Sequence, residues 1–200
     1  MFKPPFFSKS EAVNKLVRTF IISETLLWSG WNFIYPIIAL FIVERIKGAG
    51  VETVATAFSV YLITRVVAEL VSGRSVGKSA LKAKVWTVII GQIVLSFAYL
   101  GFIFASNVST LFVVYALIGI GLGSSMPAKL GIFSTHLDKN KESKEWSYYN
   151  ATSLLGMAVS GIIAGIIAQD FGFDVVFVVA SFINLLGVIP YFFFFKKYNA

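Results

Sequence analysis

The sequence contains no cysteine. Disulfides, thiolate metal sites and cysteine nucleophiles are therefore excluded. It contains one histidine, His136, which excludes a multi-histidine metal centre. Charge is scarce: Asp, Glu, Lys and Arg make up 14% of the 200 residues, where soluble domains carry about 25%. A Walker-type phosphate loop, Gly-x-Ser-x-Gly and His-Glu-x-x-His are all absent. No pair of carboxylates has an evident catalytic purpose. An enzyme is not expected, nor are a cofactor, a metal or ATP hydrolysis.

What the chain has in excess is apolar surface. Hydrophobic residues make up 57% of it, more than a soluble core of this size can hide. They fall into runs long enough to cross a bilayer, which needs about 20 mainly apolar residues as a helix. Six such runs are expected to be helices, at approximately 16–43, 54–72, 85–105, 111–130, 147–168 and 175–195. None alternates with period two, so a closed barrel is excluded and helices remain. The fold class is all-α integral membrane, one six-helix domain over residues 1–200. The first run exceeds a bilayer of roughly 30 Å, so it must tilt, protrude or bend, and Pro36 offers the place. A run of that length, with no small-residue cleavage pattern after it, does not fit a signal peptide.

The net charge of +7 reports topology. With the N-terminus inside, the inner segments hold Lys3, Lys9, Lys15, Arg18, Arg74, Lys78, Lys82, Lys84, Lys139, Lys141, Lys144, Lys196 and Lys197, 13 of the 17 basic residues. The outer loops hold Arg45 and Lys47, with Glu44, Glu52, Asp170 and Asp174 beside them. This asymmetry predicts both termini in the cytoplasm of a plasma (inner) membrane. The partner of the basic loops is anionic lipid rather than nucleic acid.

Polar residues inside the runs are the candidate sites, because they are costly in lipid. The first run carries Glu24, Trp28, Trp31 and Tyr35 on one helical stripe, with Asn32 beside it. Glu24 either binds substrate or a proton, or pairs with a basic residue and only ties helices together. The aromatics either wall a cavity or face lipid. The second run carries Tyr61, Arg65 and Glu69, one turn apart. Counting inward, Glu24 lies at a comparable depth, so a Glu24–Arg65–Glu69 network is geometrically possible, as a static tie or a gate latch. Lys129 follows Pro127 near the end of the fourth run and is expected to snorkel to the headgroups. Tyr115, Gln92, Asn150 and Asn184 are either pathway residues or interhelical hydrogen-bonders. The fifth run carries two ladders of small residues, Gly156–Ser160–Ala164–Ala168 and Gly161–Gly165. Each lets another helix approach closely.

Several segments resemble the major facilitator superfamily. Tyr115-Ala-Leu-Ile-Gly119-Ile-Gly121-Leu-Gly123 matches the family's Arg-x-x-x-Gly-x-Gly-x-Gly, with Tyr115 in the arginine's place. Ser160-Gly161-Ile-Ile-Ala164-Gly165 stands where the family often has Gly-Pro-x-x-Gly-Gly, with the small residues kept and the proline lost. Asp170-Phe171-Gly172-Phe173-Asp174 looks like the family's turn into its sixth helix. After the second run, Gly73-Arg74-Ser75-Val76-Gly77-Lys78 is similar to the family's Gly-x-x-x-Asp-Arg-x-Gly-Arg, without the aspartate.

The resemblance implies a half bundle of two three-helix repeats, like the N-terminal half of such a transporter. The family normally joins two halves as parallel repeats; this sequence holds one. A parallel homodimer would rebuild the whole, because an even number of spans returns the chain to its starting side. The implied function is secondary active transport of a small solute by alternating access, with proton coupling open. The first and fourth helices then line the cavity, placing Glu24, Trp28, Trp31, Asn32, Tyr35 and Tyr115 in the pathway. Arg65, Glu69, Arg74 and Lys78 become gate or ion-pair candidates. Gly156, Ser160, Gly161, Ala164 and Gly165 become packing or dimer-interface candidates. The alternative is a membrane scaffold or assembly protein that keeps the half fold and transports nothing.

Overall fold

The computed structural model describes residues 13–198, and the side chains of residues 13–193. Lys3 and Lys9, counted above as inner charges, lie outside the described residues, as do the side chains of Lys196 and Lys197. Every element is an α-helix: α1 (Lys15–Ile34), α2 (Ile38–Arg45), α3 (Val51–Val76), α4 (Leu81–Phe104), α5 (Val108–His136), α6 (Glu142–Phe171) and α7 (Phe173–Tyr198). Among the described residues, counting α1 and α2 together, six helical segments are long and apolar enough to cross a membrane.

The first span breaks at its proline. Pro36 has no N–H to give to the carbonyl four residues back, and its ring crowds that carbonyl. The helix stops at Ile34, the Ile37 N–H turns to the Ile34 carbonyl at 3.1 Å, and α2 begins at Ile38. Pro127 and Pro190 lie inside α5 and α7 without ending them. Elsewhere the ends carry local caps. Asn107 accepts from the Thr110 N–H at 3.0 Å and starts α5. Gly172, at φ +85°, makes the left-handed turn between α6 and α7 that a side chain would resist.

The polar stretch Thr135–Trp146 is mostly helical. α5 runs on to His136 and α6 starts at Glu142, so 137–141 alone link them. Hydrogen bonds tie this link to the start of α1. Asn14 caps α1 through the Leu16 and Val17 N–H groups at 3.0 and 2.9 Å. It also donates to the His136 carbonyl at 2.8 Å and to Asp138 Oδ1 at 2.9 Å. Glu145, itself buried, accepts from the Asp138 N–H at 2.9 Å.

The helices pack in the order α3, α5, α4, α7, α1, α6, each chiefly against its neighbours in that series. Backbone approach at the glycines of α5 lets it sit between α3 and α4. A Cβ at Gly123 would lie 2.5 Å from the Arg65 carbonyl oxygen on α3. On the other side of the helix, a Cβ at Gly121 would lie 2.8 Å from the Gly91 carbonyl oxygen on α4. The alternating glycines therefore serve two interfaces at once. The ends of the series, α3 and α6, bury 11% and 17% of their apolar stretches, against 44–50% for the other four spans. They are the edges of the bundle.

Candidate functional site

Helices α1 and α5 make few contacts with each other, and the candidate site lies between them. Glu24 on α1 and Lys129 on α5 meet there. Lys129 Nζ is 3.1 Å from Glu24 Oε1 and 3.3 Å from Oε2, so it straddles the carboxylate. From α7, the Tyr191 hydroxyl donates to Glu24 Oε1 at 2.8 Å. Glu24 is 1% exposed and Lys129 is 4% exposed. Ser23, beside Glu24, donates to the Gly187 carbonyl and holds α1 against α7 at this level.

The expected snorkelling of Lys129 is thus overturned. With both groups buried, leaving either charge without its partner would be the costlier arrangement. The geometrically possible Glu24–Arg65–Glu69 network does not form. Glu24 takes Lys129 and Tyr191, while Arg65 stays on its own helix, with Nη1 2.7 Å from the Tyr61 hydroxyl and Nε 3.5 Å from Glu69 Oε2. Tyr191 escaped the sequence reading. The signal was present in a hydroxyl-bearing ring amid apolar residues of the last span, where such a group needs a partner.

Beyond the ion pair lies a small cavity of about 10 Å³, lined by Trp28, Trp31, Gln92, Ser125 and Lys129 among others. That is about the room one water takes. Gln92 donates to Ser125 Oγ at 2.9 Å, and its own Oε1 is buried with no protein partner. Asn184 donates to the Gln92 carbonyl at 2.9 Å and to Ser96 Oγ at 2.7 Å. Gln92 and Asn184 therefore knit α4, α5 and α7 together, whereas Asn150 is exposed.

A much larger cavity, about 480 Å³, opens farther from the chain termini, beside the break in the first span. Trp31, Tyr35, Pro36, Phe58, Phe102 and Tyr115 are among its walls. Three of the sequence candidates, Trp31, Tyr35 and Tyr115, come together here. The stripe on α1 is divided along the helix: Glu24 and Trp28 lie toward its start, Tyr35 at its end, and Trp31 touches both cavities. Trp28 Nε1 donates to the Tyr149 hydroxyl at 2.9 Å, and Asn32 Nδ2 to the Met157 carbonyl at 2.6 Å. Both bonds reach α6.

The small residues of α6 explain why α1 fits so closely. A Cβ at Gly156 would lie 2.6 Å from Ser29 Oγ, and one at Gly161 would lie 2.9 Å from Asn32 Nδ2. Ser160 and Ala164 are buried inside the chain. These four pack within the bundle, and a Cβ at Gly165 would meet nothing within 4 Å. Arg74 and Lys78 are exposed at the end of α3.

A family model for the Major Facilitator Superfamily matches residues 20–199. The chain belongs to the Major Facilitator Superfamily. Its six spans make it a multi-pass membrane protein. Among solved structures, the POT family transporter PepTSo is similar, with a TM-score of 0.77 at 15% sequence identity over 90% of this chain. The match covers 37% of that transporter's chain, so this superfamily member spans little more than a third of its length. At such low identity the likeness is one of fold. No curated protein sequence matches the chain.

Proposed function

We propose that this chain is a secondary active transporter of a small solute, working by alternating access together with a second six-helix unit. The observation that carries the reading is the buried Glu24–Lys129 pair. A charge pair deep in an apolar bundle is a poor way to gain stability, because desolvation offsets much of the attraction. Placed across the gap between two spans, it is a link that can be made and broken as the gap opens and closes. A proton taken up by Glu24 would release Lys129, which couples transport to a proton gradient.

The packing order supports the superfamily's repeat plan. Exchange spans 1, 2 and 3 with spans 4, 5 and 6, and the series from α3 to α6 maps onto itself reversed. The two edge helices then correspond, as do α1 and α5. The second unit is proposed to be another copy of this chain, parallel to the first and meeting it along α3 and α6. Arg65 and Glu69 support that reading: an ion pair half-exposed on an edge helix amid Leu62, Val66 and Leu70 is costly against lipid and needs a protein or aqueous neighbour. The basic residues of the terminal side support cytoplasmic termini in a plasma membrane.

The test is uptake into proteoliposomes with the interior alkaline. A pool of small metabolites is offered and the lumen is analysed by mass spectrometry. At least one solute is expected to concentrate inside, and Glu24→Gln is expected to abolish the concentration. If nothing enters beyond empty liposomes, the chain is a membrane scaffold and the reading is lost.

A further inference from the structure

The walls of the 480 Å³ cavity name a class of ligand. We propose that it binds a neutral aromatic molecule bearing one hydrogen-bonding group. The proposal deepens the transport reading and rests on it.

The size comes first. Sites for drug-sized ligands run from about 300 to 1,000 Å³, so a one- or two-ring molecule fits here. The walls come next. Trp31, Tyr35, Phe58 and Tyr61 form a closed circuit of ring contacts, with centroids 5.7, 6.3, 5.5 and 5.4 Å apart in turn. Three of these rings line the cavity. On the far side, Phe102 and Tyr115 meet edge to face at 5.6 Å. A flat ring entering this space finds both faces and edges to pack on, which an aliphatic chain does not exploit.

Charge is excluded by what surrounds the cavity. No Asp, Glu, Lys, Arg or His lines it. Glu24 and Glu69 are already committed, the first to Lys129 and Tyr191 and the second to Arg65, and Glu52, beside the wall residue Val51, is exposed on α3. A cation would lie near Arg65, whose guanidinium sits 5.9 Å from the centre of the Tyr61 ring. An anion would lose its water without gaining a partner. A sugar would bury many hydroxyls against few polar atoms. What the lining offers is the Trp31 indole N–H and the hydroxyls of Tyr35 and Tyr115. One or two well-placed polar atoms on the ligand are enough to meet them.

Trp31 gives the site its consequence. It lines this cavity and also the small one that contains Lys129 and Gln92. A ligand seated against Trp31 is therefore one side chain away from the charge pair that spans the gap.

The experiment measures binding of tritiated indole to the protein in lipid nanodiscs, apart from any transport assay. Indole is expected to bind saturably and to be displaced by 2-naphthol. Cyclohexanol, glucose, benzoate and benzyltrimethylammonium are expected not to displace it. Trp31→Ala should weaken binding about tenfold. Tyr115→Phe, which keeps the ring and guards against misfolding of the larger change, should weaken it roughly fivefold. Gly165→Ala, whose added methyl meets nothing within 4 Å and which is not among the walls, should bind as the wild type does. Non-saturable uptake, equal displacement by cyclohexanol, or stronger displacement by either ion overturns the proposal. So does unchanged affinity in both aromatic variants. Saturable indole binding without uptake of any solute would overturn the transport reading and leave the site standing. Uptake of a solute by protein that does not bind indole would overturn this proposal alone.

Discussion

Lys129 Nζ lies 3.1 Å from Glu24 Oε1, and this contact joins α5 to α1 across a gap where the two helices otherwise hardly meet. Removing one partner leaves the other charge buried and uncompensated. Glu24→Gln and Lys129→Met are each expected to destabilise the protein by about 3–5 kcal/mol, read as a lower melting temperature in detergent. The double variant removes both charges and should regain most of that loss. A mere tie between helices would regain uptake as well. Recovery of stability without recovery of uptake is the expected result.

Tyr191 holds the same carboxylate from α7. Tyr191→Phe keeps the ring and deletes one charge-assisted hydrogen bond, at a cost of about 1.5–3 kcal/mol. The loss should largely vanish when Glu24 is already Gln. A full Tyr191 effect in the Glu24→Gln background would place the hydroxyl's role elsewhere.

The glycines of α5 make a sharper structural test. Gly121→Val must push α4 away, because the first added carbon already falls 2.8 Å from the Gly91 carbonyl oxygen. A loss of about 1–3 kcal/mol is expected, or failure to assemble. Gly165→Ala adds a methyl group where nothing lies within 4 Å, and mid-helix it should be neutral or gain up to about 1 kcal/mol. Similar melting temperatures for the two variants would refute the packing account.

The absence of native cysteine makes crosslinking clean. Ile162 and Ile166 on α6 and Leu70 on α3 are exposed, as is Phe182 on α7. If a second copy meets the edge helices, cysteines at the first three should crosslink in lipid and Phe182→Cys should not. Ala164→Cys should stay unreactive because that position is buried within the chain. Equal yields at the edge positions and at Phe182 would remove the case for a parallel homodimer.

Asn14 caps α1 and reaches across to His136 and Asp138. Asn14→Ala should cost about 1–2 kcal/mol through the lost cap. Hydrogen exchange should quicken in the first turn of α1 and across 137–141 together. Exchange that rises in α1 alone would show that the link does not depend on it.

Much of this protein follows from the order of its residues alone. Long apolar runs with charges between them dictate membrane-spanning helices, since lipid offers the backbone no other partner. Pro36 marks where the first can bend or break, because it lacks the N–H that the hydrogen-bond ladder needs. The Gly119-x-Gly121-x-Gly123 pattern announces close helix packing and pointed to the superfamily. Tertiary structure alone decided who meets whom. Lys129 looked free to reach the headgroups until α1 brought Glu24 beside it, more than a hundred residues away in the chain. The small residues of α6 suited either a second copy or a neighbouring span, and α1 packs against Gly156 and Gly161. Trp31 and Tyr35 shared a stripe with Tyr115 nowhere near in sequence, and folding put all three around one cavity. Periodicity is a local property, legible one helix at a time. Pairing across a bundle depends on how every helix rotates against its neighbours, and no single run of residues encodes that.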